Sequence, residues 1–200
     1  MKRKKIIMSW SECRVEIGHT GENDAMATQL VSVGTINDKS TSLATSDGET
    51  LTAKASGGKT VAEEEGEPEV TITTRVKEMD FDTEHLLTGA VISTDGDELD
   101  VNTNIVQGEF SVKVTPKNIG AQGIKAPKCS VKFRPGSSEE EGSYVDLTFK
   151  VIETEAGLLY KKFRVKKTDW ADPTFASDLN AAKAAAPAKQ NAPGKAERTR

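Results

Sequence analysis

The sequence predicts a mainly β protein: an antiparallel β-sandwich or barrel with one short flanking α-helix and a long hairpin or loop. Three observations carry this. Apolar and polar residues alternate at period two in several separate runs, prolines and glycines close those runs, and helical periodicity appears at one interior place only.

The first extended element is the long hairpin, placed over 40–67. This stretch is rich in Ser, Thr, Gly and charge, yet 49–55 and 59–63 have extended character on either side of Ser56-Gly57-Gly58. It has few large apolar side chains, so it has little to bury within its own chain. The economical expectation is a hairpin completed by another subunit, with Leu51, Ala53, Gly57, Gly58 and Val61 carrying the oligomerisation.

A firm strand follows over 69–77, where Val70, Ile72, Thr74 and Val76 share one face and Thr71, Thr73 and Arg75 the other. The helix is placed at 80–88. Asp80 or Asp82 can accept backbone N–H bonds at its first turn, and Gly89 suits a left-handed stop. Phe81 and Leu86 or Leu87 are expected to pack it across a sheet, and His85 to lie on its surface. Phe110, Val112 and Val114 alternate with Ser111, Lys113 and Thr115 until Pro116, and a further strand over 128–134 is closed by a Pro135-Gly136 turn. The clearest alternation spans 143–167: Val145, Leu147, Phe149 and Val151, then Leu159, Phe163 and Val165, around a loop at 153–157. This reads as an antiparallel hairpin.

At 200 residues the chain suits one core plus arms. The organisation read from it is a basic arm at 1–12, a β-rich domain at 13–175, and an Ala-, Lys- and Pro-rich flexible tail at 176–200. A net charge of -4 lacks the basic excess that grips phosphate backbones. After Lys2–Lys5 the apolar stretch of a signal peptide is missing, and no run is long enough to span a membrane. The expectation is therefore synthesis in a cytoplasm with no membrane partner.

No constellation announces chemistry. Cys13 and Cys129 lie far apart without a CxxC, which predicts two reduced thiols. The acidic runs Asp95-Gly96-Asp97-Glu98, Glu63-Glu64-Glu65 and Glu139-Glu140-Glu141 lack calcium-loop spacing. His19 and His85 have no local nucleophile partner. Gly57-Gly58-Lys59-Thr60 resembles the end of a phosphate loop, but Ala53 stands where that motif needs glycine. A non-enzymatic protein is expected, with no catalytic, cofactor-binding or metal-binding residues.

The order and texture of Ser32-Val33-Gly34-Thr35-Ile36, Ser42-Leu43-Ala44-Thr45-Ser46-Asp47-Gly48-Glu49, and Ala55-Ser56-Gly57-Gly58-Lys59-Thr60-Val61-Ala62-Glu63, followed by the 69–77 strand and the short helix, resemble the tail tube (major tail) proteins of long-tailed bacteriophages. The resemblance runs from Val31 to Lys167 and leaves both termini unmatched. It implies a small β-sandwich or barrel whose copies form rings, of six by that likeness, stacked into a hollow tube in the virion. Other phage tail proteins would be its partners, and viral DNA would pass through without tight binding. A lumen that neutralised phosphates would hold the DNA, so the likeness implies that some of Asp47, Glu49, Glu63, Glu64 and Glu65 face the channel. Competing readings are another virion piece, such as a capsid decoration or a neck (head-tail) ring protein, and an extracellular β-sandwich binding module. The missing signal sequence speaks against the last.

Overall fold

A computed structural model describes residues 10, 12–48, 50–101 and 108–179. The protein is mainly β. Its strands are β1 (Cys13–His19), β2 (Val31–Ser32), β3 (Thr35–Ile36), β4 (Ser42–Ser46), β5 (Thr50–Lys54), β6 (Thr60–Glu65), β7 (Glu69–Glu78), β8 (Val91–Ile92), β9 (Leu99–Asp100), β10 (Glu109–Pro116), β11 (Gln122–Ser138), β12 (Gly142–Val151) and β13 (Lys161–Arg164). An α-helix, α1 (Phe81–Thr88), lies between β7 and β8, and residues 176–179 make a further helical turn.

Among the described residues, nine strands form one antiparallel sheet in the order β2-β1-β10-β11-β12-β7-β3, with β13 added to β11 and β4 to β7. The two ends of that order are a single stretch of chain. β2 pairs with β1, Val33 donates its N–H to the Val15 carbonyl, and two residues later β3 pairs with β7. The sheet is thereby drawn around on itself, which removes two of its edges. Gly34 makes the corner possible: its φ of 109° is left-handed, and a Cβ there would sit 2.0 Å from the Glu78 carbonyl oxygen.

Inside the curl lie Val15, Ile17, Val33, Ile72, Val76, Phe110, Val112, Val114, Leu147 and Phe149, each 1 % exposed or less. Fully burying one such side chain is worth about 1.5–3 kcal/mol, so this set provides the folding drive that the rest of the chain lacks. The alternation seen in β7 and β12 is the inward face of this curl. α1 is built as its sequence demands: the Asp80 carboxylate accepts from the Thr83 N–H at 2.9 Å, and Gly89 is left-handed. Leu87 is buried and Leu86 partly so, but Phe81 is 41 % exposed and borders an open hollow with Tyr144 and Gly136.

Four expectations need correction. First, β11 does not stop at Pro135-Gly136; it continues to Ser138, with Pro135 opposite Val145, and the turn falls at 139–141. Beyond Ser130, β11 is paired on one side only, so a residue without an N–H is tolerated there. Second, β13 does not form a hairpin with β12. Both edges of β12 are occupied, by β11 and β7, and β13 pairs with Gln122–Lys125 of β11 instead.

Third, Ser111 and Thr115 are fully buried rather than solvent-facing, because a second layer covers that face of β1 and β10. Ser111 Oγ donates to the Pro127 carbonyl at 2.7 Å and accepts from the Ala27 N–H at 2.8 Å. The segment after β13 crosses the same face: Glu16 pairs with Arg14 and Lys113, Lys113 reaches Asp169 at 3.8 Å, and the Arg14 guanidinium stacks 5.1 Å from the Trp170 ring. Fourth, the packed chain runs past 175. Ala176 is 6 % exposed and Leu179 touches the core, while 180–200, like 1–9, lies outside the described residues.

Gly34→Ala tests the corner. It should destabilise the fold by more than about 1 kcal/mol, since an L-residue is strained there and its Cβ meets backbone. Denaturant unfolding followed by tryptophan fluorescence would read this, and an unchanged midpoint would remove Gly34 from its place in the account.

Candidate assembly surface

The arm begins as part of the body. β4 runs antiparallel to β7, from Ser42 opposite Thr73 to Ser46 opposite Glu69, and Leu43 still touches the core. Beyond Ser46 the two chains stay together but change partnership. At Gly48 they pass so closely that a Cβ would lie 2.2 Å from the Gly66 carbonyl carbon. They then pair again as β5 and β6, with Thr52 opposite Glu63, Ala53 opposite Ala62 and Lys54 opposite Thr60. One residue of extra length is absorbed between Ala53 and Lys54, leaving Val61 without a ladder partner.

Ala55 N–H donates to the Lys59 carbonyl at 2.9 Å and Gly58 N–H to the Ala55 carbonyl at 3.0 Å, closing the tip. Gly57 and Gly58 have φ of 99° and 80°, as a turn at this place requires. The stretch that resembles a phosphate loop is therefore the end of a ribbon, with no helix behind it.

β5 and β6 pair with no other described strand. Every side chain from Thr52 to Glu63 is exposed, Val61 to 67 %. Ala53, Gly57, Gly58 and Val61 thus occupy one projecting ribbon, and Leu51 stands opposite Glu64 in its ladder. Asp47 and Glu63 are exposed at its foot and along its length, Glu64 and Glu65 hold ladder positions in β6, and Glu49 lies outside the described residues.

The remaining singled-out residues are scattered. His19 stacks on Phe110 with ring centroids 4.9 Å apart, and His85 is exposed on α1. Cys13 and Cys129 are free; burial pushes their thiols up to about 11 and about 12, so both are neutral and poorly nucleophilic near pH 7. Asp95-Gly96-Asp97-Glu98 forms the exposed turn between β8 and β9, and Glu139-Glu140-Glu141 that between β11 and β12. Among the described residues, no three or more His, Cys, Asp and Glu side chains are grouped to hold a metal ion, and no helix is long and apolar enough to cross a membrane.

Charges on the body are mostly matched. Arg75 grips Asp146 through two hydrogen bonds of 2.7 and 3.0 Å, holding that carboxyl below the usual range, and also reaches Glu141. Lys128 bonds Asp24 at 3.0 Å with the same effect on its carboxyl, and Lys150 meets Glu69 at 3.1 Å. Lys77, Lys132 and Arg134 are exposed without an ion pair among the described residues, and the densest such group is β13 and the turn after it, where Lys161, Lys162, Arg164, Lys166 and Lys167 are all exposed. By period-two alternation Lys162, Arg164 and Lys166 form the polar face of a strand, and Lys161 interrupts its apolar face. The signal that could have drawn notice was density: five cations in seven residues of an acidic chain.

Neither a protein-family model nor a curated protein matches this chain. The functional reading therefore stands on the geometry and on the residues themselves.

Because the arm's side chains from Thr52 to Glu63 are exposed, replacing residues 50–65 by a short Gly-Ser link should leave the thermal midpoint of the dilute protein within about 3 °C of the wild type, the shift expected for about 1 kcal/mol in a domain of this size. Differential scanning calorimetry reads this. A loss several times larger would mean that the arm belongs to the core.

Proposed function

We propose that the protein is a non-enzymatic structural subunit that works by assembling with copies of itself, and that the assembly is a phage tail tube: stacked rings, six copies to a ring by the family likeness, around a DNA conduit. The observation that carries the reading is the β5–β6 arm. A lone two-stranded ribbon is marginal in water, and this one exposes its side chains from Thr52 to Glu63 and pairs with no other described strand. Such edges are an invitation to pair with another chain, and a ring that continues the sheet from copy to copy satisfies them.

The β-rich body beside the arm is what the likeness to tail tube proteins leads one to expect. In this reading Asp47, at the foot of the arm, and Glu49, two residues on in sequence, keep the channel wall from neutralising phosphate, so DNA passes without being held. The partners are the protein itself, neighbouring phage tail proteins and passing DNA, and the location is the virion.

Negative-stain electron microscopy of the concentrated protein, with light scattering for mass, tests this directly. Rings or stacked tubes are expected. Closed oligomers that never stack would favour a capsid decoration or neck ring role, and a monomer at every concentration would contradict self-assembly altogether.

A further inference from the structure

Two segments of opposite charge lie in this chain, and among the described residues no ion pair joins them. The first is Lys161-Lys162-Phe163-Arg164-Val165-Lys166-Lys167, with five cations in seven residues. None of the five is within ion-pair distance of a described carboxylate, whereas Arg14, Arg75, Lys113, Lys128 and Lys150 all are. The strand that carries them is firmly seated on one side only. It pairs with Gln122–Lys125 of β11, and the Phe163 ring lies over Gly123, where a Cβ would be 2.4 Å from it, with the Lys125 ammonium 5.1 Å from the ring. Its other edge has no partner among the described residues.

The second segment is Glu63-Glu64-Glu65-Gly66-Glu67, four carboxylates in five residues, on β6 and the link that follows it. Glu63 and Glu67 are exposed, and β6 pairs with β5 alone. One molecule therefore presents an acidic open edge on a projecting arm and a basic open edge on its body.

We propose that the two fit each other between copies: β6 of one molecule adds to the free edge of β13 of the next, acid against base. Strand addition supplies backbone hydrogen bonds, and the charges set partner and register. The contact is head-to-tail, so it repeats from copy to copy and generates a ring or an open stack rather than a closed dimer. A polyphosphate would also suit the five cations, but it would leave the acidic arm unexplained and would meet a chain of net charge -4. The proposal rests on the self-assembly reading above and names the surface that receives the arm. It gives Glu63, Glu64 and Glu65 a partner in the next copy in place of the lumen expected of them.

Charge reversal tests it. One variant carries Lys161→Glu, Lys162→Glu and Arg164→Glu; the other carries Glu63→Lys, Glu64→Lys and Glu65→Lys. Each alone should require at least about tenfold more protein to assemble, by sedimentation velocity. An equimolar mixture of the two should recover assembly, because each reversed arm then meets a reversed edge. Wild-type assembly should also dissolve as salt rises from about 0.1 M to about 1 M, which shortens the screening length from about 10 Å to about 3 Å.

Assembly indifferent to both reversals, or a mixture that fails to recover while both variants keep the wild-type far-ultraviolet dichroism, would overturn the contact. So would a short DNA duplex that binds the wild type and not the β13 variant while assembly persists in both. Rings that survive the reversals sink the contact and spare the tube reading. Charge-dependent assembly into particles that are not rings does the reverse.

Discussion

A ribbon of two strands has no interior. Its side chains face water on both sides, its outer N–H and C=O groups have no ladder to join, and whatever holds it must come from elsewhere. Among the described residues the β5–β6 arm fits that description: its side chains from Thr52 to Glu63 are exposed and its strands pair only with each other. Its register is nonetheless definite, and Gly48 and the Gly57-Gly58 turn fix where it leaves the body and where it ends. The proposed assembly gives such a segment its partner in another copy, and the functional account depends on this constraint.

The body shows the opposite economy. β11 serves β10, β12 and β13 in turn along its length, and the six residues from Val31 to Ile36 tie the first strand to the far side of the sheet. A second layer, held by the Glu16, Lys113 and Asp169 side chains, closes the remaining face of β1 and β10. A body held in this way can present an edge at β13 and a projecting arm beyond β4 and β7 without relying on the arm for its own stability. Division of this kind suits a subunit whose contacts must form after folding.

What was legible in the sequence was the local part. The alternation in β7 and β12, the capped helix before Gly89 and the Gly57-Gly58 tip depend on neighbours a few residues away, and each stands as read. The misreadings were all matters of who lies beside whom. Phe163 and Val165 alternate as well in a strand beside β11 as in one beside β12, so spacing alone could not choose, and in the structure β7 occupies the edge of β12 that β11 leaves free. Ser111 and Thr115 are short polar residues that look solvated until a covering layer is known. The basic strip on β13 escaped notice as a surface because its strand had been assigned the wrong neighbour.

The central claim is that the arm lacks stabilising partners until another copy arrives. Amide hydrogen–deuterium exchange across 50–65 measures that claim, taken first on dilute monomer and then on concentrated protein. The account predicts near-unprotected exchange in the monomer, alongside strong protection of β10 and β12, and a marked gain of protection in the arm as copies associate. Protection of the arm in the monomer equal to that of the core would contradict it.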